Sequence, residues 1–308
     1  MSASNNARIG IMDNSMAQPG WKSGLSATAA VLLGLLFLVA GGWKLTDPLG
    51  AAVKMNQALI PSQLSLPAAI GFGISEVFAA ILLFLPRFRR WGALITGLLL
   101  VAFIGYVGIN YNKLQGADCS CFPWLKRAVG PGFFISDGVM LLFAIVAGWW
   151  TRQARGWRTP LVVLAVVIAY AGGSYALVQS KLSGLKAPDT VTVDGQPYSL
   201  QQGRVVIFFF DPECMHCFHG AKNMSTYKWV ETRVISVPTR VPQFAGQFMT
   251  DTGLKSLISN DLAQLKAVFP FGDGPYGVAL ENGRLKAPLP AFDEKEPYGT
   301  LKGLGFVE

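Results

Sequence analysis

Charge is scarce in this chain. Asp, Glu, Lys and Arg make up only 14% of its 308 residues, against about 25% in an ordinary soluble domain. The deficit is concentrated in the first 180 residues or so, where long apolar runs crowd together, while the rest reads like a water-soluble domain. Histidine is scarcer still, with two residues, and cysteine stops at four. No second C-x-x-C or Cys/His pair is present to complete a four-ligand zinc site. No basic helix or aromatic-interleaved strand suggests nucleic acid, although the net charge is +8. Many of the basic residues instead sit in short loops between apolar runs, which is a pattern of membrane topology.

Five stretches are long and apolar enough to cross a bilayer: Leu25–Trp43, Leu66–Leu85, Trp91–Tyr111, Phe133–Trp150 and Leu161–Val178. Each has roughly 18–21 residues, which at about 1.5 Å per residue matches a hydrocarbon core of about 30 Å. Trp43, Trp91, Trp149 and Trp150 stand at span ends, where amphipathic rings favour the interface. Arg87, Arg89 and Arg90 lie between spans two and three, and Arg152, Arg155 and Arg158 between spans four and five, with no acid in either link. The positive-inside rule makes both links and the polar 1–24 tail cytoplasmic. The loops at 44–65 and 112–132, and all that follows span five, are then outside. Reading span one as a cleaved signal peptide leaves the other spans oriented as before.

Cys119 and Cys121 fall in the loop after span three, and Cys214 and Cys217 in the soluble part. All four are thus expected outside, where disulfides form and persist. No cysteine lies in a cytoplasmic loop or in mid-membrane, so the chain has no thiol to collect electrons from the cytoplasm.

The run Arg204–Phe210 (RVVIFFF) has the pattern of a fully buried strand. It leads into Asp211-Pro212-Glu213-Cys214-Met215-His216-Cys217 and then a helical stretch from Phe218 to about Val230. A helix start favours the thiolate of Cys214 as attacking group, and Cys217, one turn on, is placed to resolve the mixed disulfide. A zinc knuckle is the other use of C-x-x-C, but it lacks further ligands. This region, about residues 186–308, resembles thioredoxin-fold proteins. The resemblance implies that Pro275, which opens the strand Tyr276–Gly283 with its Asn-Gly turn, faces the C-x-x-C through a cis peptide bond; the alternative is a simple loop proline. The chain departs from the family in having Glu213, not tryptophan, before the first cysteine. His216 before the resolving cysteine is similar to strongly oxidising members, and when protonated it would stabilise the Cys214 thiolate. Its other reading is a solvated surface residue.

Spans one to four, roughly residues 25–150, resemble the MauE branch of the DoxX-like membrane proteins. The resemblance rests on Lys44-Leu45-Thr46-Asp47-Pro48, Leu66-Pro67, Ser75-Glu76 and above all Asp118-Cys119-Ser120-Cys121-Phe122, where the family typically shows D-C-G-C-F. It implies a partnership with a thioredoxin-like protein in disulfide formation, here fused through span five and its linker (151–185) to residues 186–308. The expected fold is therefore a membrane α-helical bundle of four helices plus a fifth linking helix, followed by an α/β thioredoxin-like domain. A Cys-x-Cys disulfide closes a small, strained ring and should be readily reduced. Binding of Cu(I) and a structural disulfide are its other uses.

Among intramembrane polar residues, Glu76 stands near the middle of span two, as a functional carboxylate or as a bond between helices. Asp137 lies one turn into span four, with Lys44, Asp47 and Asn110 expected at the same level, either as a polar rim beneath the Cys119–Cys121 loop or as a satisfied interfacial network. The segment Pro48–Leu64 reads as an amphipathic surface helix. These readings converge on a thiol–disulfide oxidoreductase of the bacterial inner membrane. Reduced periplasmic substrate proteins pass electrons to the Cys214–Cys217 disulfide, then to Cys119–Cys121, then to a membrane quinone bound in the bundle. The rivals are a reductase or isomerase running the other way, a copper-handling protein and a transporter, the last disfavoured by the lack of an inverted repeat.

Overall fold

The structure, a computed structural model, describes residues 20–116, 127–151, 156–182, 184–193 and 195–308. Cys119 and Cys121, with Asp118, Ser120 and Phe122 of their motif, lie outside the described residues, as do Arg152, Arg155 and most of the N-terminal tail.

Five helices in the first part are long and apolar enough to cross a membrane. They are α1 (Gly20–Thr46), α3 (Ser62–Phe84), α4 (Arg89–Ile109), α6 (Pro131–Trp149) and α7 (Arg158–Leu182), with the short α2 (Pro48–Gln57) and α5 (Tyr111–Leu114) between them. Each of the five covers an expected span and extends or shifts it by a few residues. Large apolar side chains such as Leu98, Val162 and Val166 stay exposed on their outer faces, which suits a lipid environment. The chain is a multi-pass membrane protein.

Helices α1 and α3 pack most closely. A Cβ added at Gly41 would meet the Cβ of Glu76 at 2.8 Å, and one at Gly73 would meet the Leu45 side chain at 2.8 Å, so small residues allow this approach. The approach brings Lys44 Nζ to 3.0 and 2.7 Å from the two oxygens of Glu76, with Lys44 3% and Glu76 8% exposed. Glu76 therefore does bond one helix to another, and its partner is the lysine expected at the rim. Asp47 and Asn110 do not join them. Asp47 caps α2 by accepting from the Gly50 N–H, and Asn110 donates to the Tyr106 carbonyl, each satisfying local backbone. The surface helix is also shorter than expected: α2 stops at Gln57, where Leu59 takes a positive φ and Pro61 precedes α3.

The second part holds a hairpin of β1 (Thr190–Val193) and β2 (Gln196–Ser199) and a five-stranded sheet. The sheet consists of β3 (Arg204–Phe210), β4 (Thr232–Pro238), β5 (Leu257–Ile258), β6 (Tyr276–Glu281) and β7 (Arg284–Leu289), in the order β5-β4-β3-β6-β7. Strand β3 runs parallel to β4 and antiparallel to β6. Helices α8 (Met215–Met224), α9 (Ala245–Thr252) and α11 (Tyr298–Gly303) cover one face, and α10 (Leu262–Val268) and the hairpin the other. Side chains of β3 alternate between the faces: Val206, Phe208 and Phe210 pack toward α8 and α9, and Val205, Ile207 and Phe209 toward α10. Both faces are buried, which is why the strand reads as an unbroken apolar run. Each such phenylalanine contributes about 1.5–3 kcal/mol by leaving water. The strand order, with a C-x-x-C at the start of the helix after β3, is a thioredoxin-like fold. Asn282 and Gly283 both take positive φ, as the tight turn between β6 and β7 requires.

Because Lys44 and Glu76 pair where both are buried, Lys44→Met alone should destabilise the protein by about 3–5 kcal/mol. Lys44→Met/Glu76→Leu should regain most of that loss. Thermal unfolding in detergent, followed by tryptophan fluorescence, checks both.

Candidate redox site

Strand β3 ends at Phe210 and the chain turns at Asp211, whose carboxylate accepts the Glu213 N–H at 3.0 Å. The turn delivers Cys214 to the N-cap of α8, in extended conformation, and its sulfur accepts the Cys217 N–H at 3.4 Å. Helix α8 thus begins at Met215 with Cys214 at its start and Cys217 in its first turn, as expected, but ends at Met224, well short of Val230. The end differs because Trp229 and Val230 turn away to pair with Val307 and Phe306. Cys217 is fully buried and its sulfur accepts the Asp211 N–H at 3.4 Å, while Cys214 is only partly covered. Both are free thiols.

The pair is electrostatically asymmetric. The Cys214 thiol is lowered to about 7, chiefly by a hydrogen bond from Cys217, against the opposing effect of burial and with help from the Cys217 and His216 backbone N–H groups. Cys217 is pushed far above the usual thiol range, first by burial and then by Cys214. Cys214 is therefore the attacking group and Cys217 the resolving one. His216 departs from expectation. Burial first, then repulsion from His219 and Lys54, holds its pKa below the ordinary value, so it is mainly neutral at pH 7 and lends no cation to Cys214.

Pro275 follows Gly274 through a cis peptide bond, as the thioredoxin resemblance implies. A Cβ on Gly274 would lie 3.5 Å from Cys217 Sγ and 3.2 Å from the Phe209 carbonyl, so the loop before β6 passes directly against the cysteine pair. One turn further along α8, Phe292 crosses at Gly220, where a Cβ would meet it at 2.9 Å.

The redox face touches the membrane part. Lys54 Nζ pairs with Asp273 at 2.8 Å, and Gln57 donates to the Gly274 carbonyl at 2.9 Å. Asn56 and the Ser62 N–H both reach Asp293, at 3.0 and 3.1 Å. Ala58, the residue after Gln57, packs with Leu114, Val129 and Phe133, and its carbonyl accepts from Tyr106 at 2.8 Å. Leu114 and Val129 flank the segment that carries Cys119 and Cys121, and its two stems are joined by the Gly116 N–H to the Val129 carbonyl at 3.1 Å.

Directly after that segment stands Arg127, which the sequence reading passed over. Its guanidinium donates to Asp137 Oδ1 and to Ser136, each at 2.6 Å, and lies 4.9 Å from the centre of the Phe133 ring. The signal available was a lone arginine ten residues before the only acid of span four. Asp137 is 1% exposed, and its second oxygen has no hydrogen-bond partner among the described residues. A small cavity of about 40 Å³ lies between this pair and Glu76. Leu36, Phe37, Ala40, Phe103 and Met140 line it with Glu76, Arg127 and Asp137. No cluster of His, Cys, Asp and Glu suited to a metal is found among the described residues.

Reduced protein should react with iodoacetamide at Cys214 with a rate that rises through an inflection near pH 7. Since this folded-state pKa lies below the free-thiol value of about 8.5, the thiolate's stabilisation of the reduced form is present above that value and is lost as pH falls through about 7. Cys217→Ala should move the inflection upward. His216→Asn should leave it nearly in place, and a large rise would restore a cationic role for the imidazole.

Residues 22–151 match the family model of methylamine utilisation protein MauE. Comparison with curated proteins gave no match. Among solved structures, a candidate protein disulfide isomerase from Bacteroides thetaiotaomicron is 18% identical over 40% of this chain and 87% of its own, with a TM-score of 0.35. A secreted disulfide oxidoreductase of Mycobacterium tuberculosis homologous to E. coli DsbE is 23% identical over 37% of this chain and 94% of its own, with a TM-score of 0.31. The thioredoxin domain of a thiol-disulfide oxidoreductase from Bacteroides vulgatus is 14% identical over 40% and 96%, with a TM-score of 0.33. Scores at this level add no weight, and the fold rests on the strand order and the placement of the cysteines. The chain joins a membrane segment matching the MauE family to a thioredoxin-like domain that carries the Cys214–Cys217 pair at the start of its first sheet-covering helix.

Proposed function

We propose that this protein is a membrane thiol–disulfide oxidoreductase that forms disulfides in reduced periplasmic proteins. The observation that carries the reading is the contact path from Cys217 through Gly274, Gln57 and Ala58 to Leu114 and Val129, the stems of the Cys119–Cys121 segment. Cys119 lies three residues beyond Gly116, a reach of about 10 Å at most. An exchange between the two pairs within one chain is thus sterically supported.

The relay balances as follows. A substrate thiolate attacks Cys214 in the Cys214–Cys217 disulfide, and the second substrate thiol resolves the mixed disulfide, leaving both protein cysteines reduced. The Cys214 thiolate then attacks the Cys119–Cys121 disulfide, and Cys217 resolves that bond, restoring its own disulfide. Reoxidation of Cys119 and Cys121 releases two electrons and two protons, which we assign to a membrane quinone as co-substrate. The cavity beside Arg127 and Asp137 is too small for a quinone ring as it stands; what supports a quinone site at this level is its chemistry, aromatic and aliphatic walls with Arg127 as donor and Asp137 Oδ2, unpartnered among the described residues, as acceptor, in a bundle that must open to admit a ring.

The same reading sets the protein in the bacterial inner membrane with its N-terminus in the cytoplasm and its thioredoxin-like domain in the periplasm. Arg87, Arg89 and Arg90 support this, since they stand at the end of the bundle away from that domain.

Purified protein given a reduced dithiol substrate and a soluble quinone should turn over. Cys214→Ala should abolish substrate oxidation. Cys121→Ala should stop turnover with Cys214 and Cys217 left reduced. Turnover that survives Cys121→Ala, or that proceeds without quinone, contradicts the relay.

A further inference from the structure

The cysteine pair has two partners to serve and a single sulfur with which to do so. Cys217 is fully buried, so both the substrate protein and the membrane-side cysteines must approach through Cys214. The surface around Cys214 is nevertheless already in use. Asp273 and Gly274, in the loop beside Cys217, and Asp293 are all held by α2 and the first residue of α3. Gly274 sits against Cys217 Sγ, and its carbonyl is taken by Gln57.

The character of this junction matters as much as its place. Four polar contacts hold it among the described residues, and the Asp273 side chain remains 40% exposed. Among the described residues, the apolar clusters of the membrane part contain no residue of the thioredoxin-like domain, and those of the domain draw in only Leu182 and Leu185 of the connecting stretch. A junction without a shared apolar core resembles a transient interface and opens at little cost.

We propose that α2 and substrate proteins compete for the same face of the thioredoxin-like domain, so that the domain alternates between a position docked on α2 and an undocked one. The inference rests on the two-partner reading of Cys214 given above. Docked, Cys214 is closed to large substrates. Undocked, it is open to them. Lys54, Asn56 and Gln57 are positioning residues that set the balance between the two, and their hydrogen bonds and ion pairs across the junction go, among the described residues, to Asp273, Gly274 and Asp293 and to neither Cys214 nor Cys217.

The test needs neither turnover nor quinone. Full-length protein in a Cys119→Ala/Cys121→Ala background is reduced, and Cys214 is alkylated either with N-ethylmaleimide or with a maleimide carrying a large polyethylene glycol chain. The ratio of the large-reagent rate to the small-reagent rate reports access to the docked face and cancels changes in thiolate reactivity. Lys54→Glu/Asn56→Ala should raise that ratio about fivefold or more, the opening expected from losing one charged and one neutral contact. Gln57→Ala should raise it less, in the same direction, and alters nothing in the thioredoxin-like domain. Added salt should raise it in the unaltered protein by screening Lys54 from Asp273. A ratio that stays unchanged in both variants overturns the proposal. Since the ratio is blind to the direction of electron flow, its outcome is separate from that of the quinone assay.

Discussion

A thiol at the first turn of a helix meets backbone N–H groups that have no partner within the helix. Cys214 meets those of His216 and Cys217, and a buried neighbour, Cys217, adds a third donor. The remaining features of the domain serve that encounter. Strand β3 is buried on both faces so that its end is rigid, Asp211 turns the chain, and the Gly274–Pro275 loop lies in close contact with the end of β3 and with Cys217. Lowering one thiol while raising the other decides which sulfur attacks. It also stabilises the reduced form, and a stabilised reduced form makes a stronger oxidant.

The membrane part works under the opposite constraint, since lipid offers no water to a stray charge. Its deep charges come in pairs: Lys44 with Glu76, and Arg127 with Asp137. Neither pair is needed to span a bilayer, and apolar residues would do that better. Their placement on either side of one cavity, at the end of the bundle that meets the redox domain, is what gives them a functional reading rather than a merely structural one. The Asp137 oxygen left without a partner among the described residues points the same way.

Much of this was legible in the sequence because it is local. The RVVIFFF run marked β3 to the residue, the Asn-Gly pair marked the β6–β7 turn, and apolar length marked all five spans. What escaped is tertiary. Glu76 carries no mark that names Lys44, 32 residues away, as its partner. Arg127 looked like one more loop cation until the fold set it beside Asp137. For His216 the local motif carries no sign of burial, which first, with the like charges of His219 and then Lys54, lowers its pKa. The start of α8 at Cys214 was legible from the C-x-x-C that follows β3, whereas its end at Met224 was not, because Trp229 and Val230 pair with the distant C-terminus. Nor does composition disclose that α2, read as a membrane-surface helix, spends its polar face on the thioredoxin-like domain. For Cys119 and Cys121 the sequence remains the source, since they lie outside the described residues.

The central claim is that the two cysteine pairs exchange electrons within one chain. Its most direct measurement is to replace the resolving cysteine, Cys217→Ala, so that a mixed disulfide formed by Cys214 cannot be released, and to map disulfide-linked peptides by mass spectrometry. The account predicts a peptide in which Cys214 is joined to Cys119 or Cys121 of the same molecule, at a yield independent of protein concentration. Cys214 found joined only to other molecules, with Cys119 and Cys121 never linked to it, would contradict the account.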